Sequence, residues 1–338
     1  MNSDAHGWKK SFRRHETVLV AVVALEWFYF NSIGPRFGSL DNTFDLIRHS
    51  VEIGLLALAL TPVILTGGID LSVGSLLGLC AIVFGKLWRD GGMPIPVAAG
   101  GTLLVGALAG GLNAALITGL RLPPLIVTLG TFSVFRGLAE AITRGMDTFT
   151  HFPPGFLVLG QERWVGLPVQ AWLFAWVAIG VWILVHRTTF GRSFRAIGFA
   201  PEGARYAGLP VERRRALVYV LAGVIAALAA IIYTARLGQA KADAGTGYEL
   251  FAITAVVLGG TSIFGGSGTV TGTLLGVAAI AVLNNGLVHA RQPREVAGMF
   301  TGVLLLVALS IGVIGKMISS RRARRQTVAT DIQPNATS

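Results

Sequence analysis

Apolar residues in this chain gather into long runs divided by short polar or glycine-rich breaks, a pattern that predicts membrane-spanning helices. Runs suited to spanning, which takes roughly 17–25 helical residues, centre on 17–33, 51–65, 71–87, 94–120, 124–142, 169–185, 217–235, 250–263, 269–288 and 297–314. Two of them, 51–65 and 250–263, are short and end in glycine clusters, which predicts broken or re-entrant segments. Irregular backbone is tolerated at membrane depth only where protein or water surrounds it. The intervening stretch LDNTFDLIRHS, before the second run, predicts an amphipathic lead-in lying on the outer surface. The fold class expected is all-α and polytopic, with about ten transmembrane helices.

Ten crossings put both termini on one face. The basic residues Lys9, Lys10, Arg13 and Arg14, the 186–216 loop and the 316–325 segment then all fall on the cytoplasmic side, while 145–166, with its lone Arg163, falls outside. The chain therefore divides into a basic cytoplasmic tail (1–16), a transmembrane domain (17–315) holding the 186–216 loop, and a polar cytoplasmic tail (316–338). The start KKSFRRHE has the charge of a secretory signal, but no small-residue cleavage site follows its apolar run, so an uncleaved first span is expected.

Composition agrees. The chain is 53% apolar and 13% charged, with a mean hydropathy of +0.65, against about 25% charged in soluble domains. The net charge of +11 needs no nucleic-acid partner, because the lysines and arginines cluster where they would anchor to membrane lipid. Cys80 is the single cysteine, which excludes an intrachain disulfide and a cysteine-built metal centre, and the histidines form no HExxH or comparable cluster, so no metal site is expected. Glycine, 44 of 338 residues, is about twice as frequent as the ~7% of average proteins. In GALAGGLNAAL (106–116) and GTLLG (272–276) it predicts close helix packing. The pairs Gly67-Gly68, Gly259-Gly260 and Gly265-Gly266 stand at span ends, where they are candidate hinges.

The 186–216 loop carries seven arginines against two glutamates. Within it, Pro201 can open a short helix, Glu202 sits in its positive first turn and Gly208 can close it. Ala204 and Ala207 would then share a small-residue face beside Glu202 and Arg205, forming a knob for another protein's groove.

Candidate chemistry is concentrated in three breaks. In LTGGIDLSVGSLLGL (65–79), Asp70 is placed to cap the helix that follows by accepting from the amides of Ser72 and Val73, or to meet a transported molecule with Thr66 and Ser72 beside it. In LRLPPLIVTLGTFSVFRGLA (120–139), Thr128 and Thr131 lie on one helix face and Asn113 lies in the preceding span. Such uncharged polar groups either bridge helices or line a path for a hydroxyl-rich solute. The third break is GTGYELFAITAVVLGGTSIFGGSGTVTGTLLG (245–276). Glu26, Glu52, Asp70 and Glu140 are isolated in sequence, with no evident pairing of the kind an ion-coupled secondary transporter, the principal rival, would use.

The chain resembles the membrane permease subunits of bacterial ABC importers for ribose, xylose, rhamnose, galactose and the furanosyl autoinducer. The resemblance runs from about 51 to 313 and rests on TGGIDLSVGS (66–75), LPPLIVTLGT (122–131), FGRSFRAIG (190–198), EGARYAGLPV (202–211) and VLGGTSIFGGSGTVTGTLLG (257–276). It implies a homologous or identical second permease subunit, a cytoplasmic ATPase pair and a periplasmic sugar-binding protein as partners. It also implies that Glu202, Gly203, Ala204, Arg205 and Gly208 belong to a coupling helix docking on the ATPase. The chain departs from the family in having Ala200 where asparagine is common and Gly203-Ala204 where paired alanines are common. No ATP-binding motif is present: Gly315-Lys316 is followed by Met317, and Ser310 stands where a P-loop's first glycine belongs. The chain is therefore expected to bind no cofactor and to be no enzyme, with ATP and magnesium held by the partner ATPase.

Overall fold

The computed structural model describes residues 3–34, 36–293, 296–308 and 310. The helices are α1 (Ser3–Ile33), α2 (Leu40–Leu65), α3 (Val73–Arg89), α4 (Ile95–Ala114), α5 (Pro124–Thr143), α6 (Pro154–Gln161), α7 (Val169–Arg187), α8 (Thr189–Phe199), α9 (Pro201–Tyr206), α10 (Val211–Leu237), α11 (Tyr248–Leu258), α12 (Val270–His289) and α13 (Val296–Ala308). A π-helical turn, Ala115–Gly119, extends α4. The only sheet among the described residues is a two-stranded ribbon of β1 (Arg163–Trp164) and β2 (Leu167–Pro168), paired antiparallel. The second half of the 297–314 run and the basic 316–325 segment lie largely or wholly outside the described residues.

Among the described residues, seven helices are long and apolar enough to cross a membrane: α2, α5, α7, α10 and α12, the His15–Ile33 part of α1, and α4 with its π turn. The helices α11 and α13 are shorter apolar elements, and α3 has 17 residues. The fold is thus an all-helical, polytopic bundle with discontinuous segments.

The second helix corrects two expectations. Ser39 caps it by accepting from the Asn42 amide at 3.2 Å, and the helix runs unbroken for 26 residues. The stretch expected to lie flat on the outer surface is the start of this helix, and the run expected to be short or broken is its remainder. At 1.5 Å per residue it is about 39 Å long, enough to cross and project. Pro62 sits inside it without ending it. The turn is fully buried, and neighbouring Thr61 bonds both the Ala57 carbonyl at 2.8 Å and the Thr273 hydroxyl at 2.9 Å. Packing thus holds a turn that proline has deprived of one hydrogen bond.

From Val51 to Leu65 nearly every residue of α2 is buried, so this helix is the core around which α10, α11, α12 and α7 assemble. The expected glycine contacts are present. A side chain on Gly223 of α10 would strike the Gly106 backbone of α4, and one on Gly276 of α12 would strike the Ala255 carbonyl of α11. In the 145–166 segment, Phe152 and Phe156 pack on Phe84 of α3, with Phe152 stacked on Trp88 at 4.6 Å between ring centroids. This anchors α6 to the bundle.

Candidate functional site

The first break begins where α2 stops at Leu65. Residues 66–72 are non-helical until Asp70 starts α3: its Oδ1 accepts from the Ser72 amide at 2.8 Å and from the Ser72 hydroxyl at 2.6 Å. The expected capping role is there, through the Ser72 amide and hydroxyl. The chain of bonds then leaves the break. Asn113 Nδ2 on α4 donates to Ser72 Oγ at 2.9 Å, and Thr131 Oγ1 on α5 donates to Asn113 Oδ1 at 2.8 Å. Thr128 donates to the Ile69 carbonyl at 3.2 Å. Four of the six candidate polar residues therefore form one connected network and Thr128 holds the backbone beside it. Thr66 stands apart, bonded to its own helix at Val63. All six are at most 5% exposed, so the network ties α3, α4 and α5 together in a closed interior.

Changing Thr131→Val keeps the shape but leaves Asn113 Oδ1 buried without a donor. The expected loss is about 1–3 kcal/mol, read as a lowered unfolding midpoint of the detergent-purified protein. An unchanged midpoint would show that the bond contributes nothing.

The second break, after α10, dips towards α3. Phe149 and Ala240 exchange backbone bonds at 3.1 and 2.9 Å, and the following turns bring Gly245 against Gly74 on α3. Arg136 of α5 holds this segment: its Nη1 donates to the Ala242 carbonyl and, at 3.1 Å, to that of Ala244. Glu249, in the first turn of α11, lies against Gly74 and is 7% exposed. Sequence reasoning named neither Arg136 nor Glu249, although a basic residue in mid-run, as Arg136 is, was a legible signal.

Glu52 is not isolated. Arg236 Nε donates to Glu52 Oε1 at 2.7 Å, with the side chains 10% and 0% exposed. This corrects the expectation of no pairing: the partner lies near the end of α10, beyond the reach of any local pattern. Arg236 lines a cavity of about 590 Å³ between α2, α10, α11 and α12, together with Tyr233, Tyr248, His49 and Asn284.

The candidates of the 186–216 loop fold as two short helices. Thr188 caps α8 by accepting from the Phe190 amide at 3.1 Å, whereas Ala200 gives α9 no side-chain cap. Glu202 pairs with Arg205 at 2.7 Å, and Arg205 also reaches Glu212. Gly208 takes φ +79° where the chain turns after α9. The expected shared alanine face is not formed. Ala204 is buried against Ile197 and Val211, while Ala207 is exposed. The exposed knob consists instead of Glu202, Gly203, Arg205, Tyr206 and, from α8, Phe199.

The end of α8 also meets two breaks, the first one and a further one after α11. The Gly198 backbone lies against the Leu65 carbonyl and against Gly265-Gly266, and the Gly266 amide donates to the Leu65 carbonyl at 3.0 Å. A Cβ on Gly265 would stand 2.8 Å from the Gly67 amide. Gly67, Gly265 and Gly266 thus form one junction with Gly198. Gly68 abuts the Tyr219 hydroxyl, Gly259 abuts Gly272 of α12, and Gly260 lies beside the His15 ring of α1.

Comparison with known proteins places these features. Residues 42–309 match the family described as "Branched-chain amino acid transport system / permease component". The chain is 37% identical over 322 residues to the autoinducer 2 import system permease protein LsrD of Escherichia coli K12, an alignment covering 94% of each chain. The protein of the same description from Shigella flexneri aligns with the same identity and coverage. No solved structure matches the chain.

Proposed function

Since the chain belongs to the permease-component family, a multi-pass inner-membrane permease of an ABC sugar importer, we propose that it forms the pathway for a monosaccharide-like solute by alternating access driven by a separate ATPase. The relatives are named for autoinducer 2 import, which makes autoinducer 2 the first solute to try. The observation that carries the proposal is the glycine junction: the exposed α8–α9 knob touches, through Gly198, the turns that end α2 and α11. A push on the knob from below is delivered to both breaks at once, and packed helices respond as rigid bodies. Gly67, Gly68, Gly259, Gly260, Gly265 and Gly266 are the pivots proposed for that movement.

In this assignment Glu202, Gly203, Arg205 and Gly208 meet the ATPase, and Ala204 positions them from within. A second permease subunit completes the pathway, a periplasmic sugar-binding protein delivers the solute, and ATP and magnesium stay on the ATPase. Asp70, Ser72, Asn113, Thr128 and Thr131 hold the wall of the pathway, with Thr66 at its cytoplasmic end. Ten crossings with both termini cytoplasmic require α3, α11 and α13 to cross together with the seven longer helices, and reporter fusions to the loops would test that count.

The decisive experiment is uptake by proteoliposomes. Autoinducer 2 accumulates only when the ATPase, ATP and loaded binding protein accompany the permease. Uphill accumulation by the chain alone, or its collapse on dissipating an ion gradient at constant ATP, would instead favour the ion-coupled rival. Gly208→Val gives a second test. A side chain there meets open space but must adopt φ +79°, a strain of about 1–2 kcal/mol. Less solute moved per ATP is expected, with membrane insertion unchanged.

A further inference from the structure

Two charged side chains at the second break have hydrogen-bonding capacity that the fold does not use. Glu249 Oε2 and Arg136 Nη2 are buried without partners, and no ion pair joins the two residues. They converge on one face of α3: a Cβ on Gly78 would stand 2.7 Å from Arg136 Nη1, and one on Gly74 would strike Glu249 Oε2. Four residues apart on a helix, these glycines are about 6 Å apart along its axis. The glycines make room for the two charged groups, and larger residues at either position would expel one of them.

Arg136 is oriented. Its Nη1 is occupied by the carbonyls of Ala242 and Ala244, which leaves Nη2 presented in a fixed direction. On α5 beside Arg136, Ser133 and Gly137 are exposed, and a Cβ on Gly130 or Gly137 would meet nothing within 4 Å. Asp243 and Thr246, on the dipping segment, are also exposed. A charged group left unsatisfied at membrane depth is costly, and such groups face a protein or water-filled space in preference to lipid.

We propose that Arg136 and Glu249 form a solute-contacting pair in the permease pathway, an assignment that rests on the importer function above. A neutral polyhydroxyl solute fits them. One hydroxyl donates to Glu249 Oε2 while another oxygen accepts from Arg136 Nη2, and each bond is charge-assisted. The pair carries no net charge, which suits a neutral solute.

The native sequence makes the test simple, because Cys80 is the single cysteine. In a Cys80→Ala background, Glu249→Cys and Arg136→Cys are each placed in the complete importer in liposomes, with Ala139→Cys on the buried side of α5 as the sealed control. The vesicles are treated with a charged, water-soluble thiosulfonate. The probe solute is autoinducer 2 or D-ribose, whichever the wild-type complex accumulates. Labelling at 249 and 136 in at least one nucleotide state, lost when the solute is supplied, is the expected result. No labelling in any state, or labelling that the solute leaves unchanged, would overturn the assignment. Should a cysteine variant fail to assemble, Glu249→Gln and Arg136→Lys are read by solute moved per ATP. A loss of about tenfold or more is expected for a broken charge-assisted bond, and wild-type coupling in both would overturn the assignment. Wild-type accumulation with no protection by solute leaves the importer function standing without this pair. Accumulation of neither probe by the wild type removes both.

Discussion

Replacing Arg236 with methionine is expected to destabilise the protein by about 3–5 kcal/mol, the usual result of leaving one member of a buried ion pair alone. Glu52 is fully buried on the central helix, Arg236 is its partner at 2.7 Å, and Glu52 Oε2 already has no hydrogen bond. Without the guanidinium the carboxylate has no counter-charge, and α2 cannot move it to water without breaking its contacts on α7, α10 and α12. The double change Glu52→Leu, Arg236→Met should recover most of the loss, since an apolar replacement of a buried pair costs little or stabilises. Thermal unfolding in detergent of the two single variants and the double measures the coupling. A double variant destabilised by the sum of the two single losses would mean that the pair does not act as a unit. A double variant that is stable but transports poorly would give the pair a role in the neighbouring cavity.

The second large effect is expected at Gly198. In Gly198→Val the new Cβ would coincide with the Leu65 carbonyl and the Gly266 amide, and both are backbone atoms that cannot rotate away. Overpacking of this kind costs about 1–3 kcal/mol. Here the cost falls on the contact between the α8–α9 knob and the two breaks. Solute uptake should drop about tenfold or more, at 1.4 kcal/mol per tenfold, while ATP hydrolysis by the assembled complex persists. Gly180→Ala on α7 is the matched control, because its Cβ would meet nothing within 4 Å. Equal uptake by the two variants would remove the junction from the coupling path.

The two changes probe different levels of the molecule. Glu52–Arg236 concerns how the bundle holds together, and its effect should appear in unfolding whether or not the partners are present. Gly198 concerns transmission, so its loss of uptake in the complete importer should exceed what its loss of stability in unfolding accounts for.

Much of this protein was legible from residue order alone. Long apolar runs located the helices because a lipid-facing or buried helix must be apolar over its whole length. Pro201 and Gly208 bracketed α9 because proline's fixed φ and glycine's access to positive φ are properties of single residues. Asp70 announced the start of α3 because a cap acts on amides within two or three positions of itself. The same local logic failed at 39–50: the polar residues there suggested a surface helix, and the unbroken hydrogen-bond ladder of α2 absorbed them. Only the tertiary structure decided that Glu52 meets a residue 184 positions away, that Ala204 points inward, and that Arg136 and Glu249 converge on α3. Those outcomes depend on which helix faces touch, and a face is chosen by packing against neighbours that no local pattern specifies.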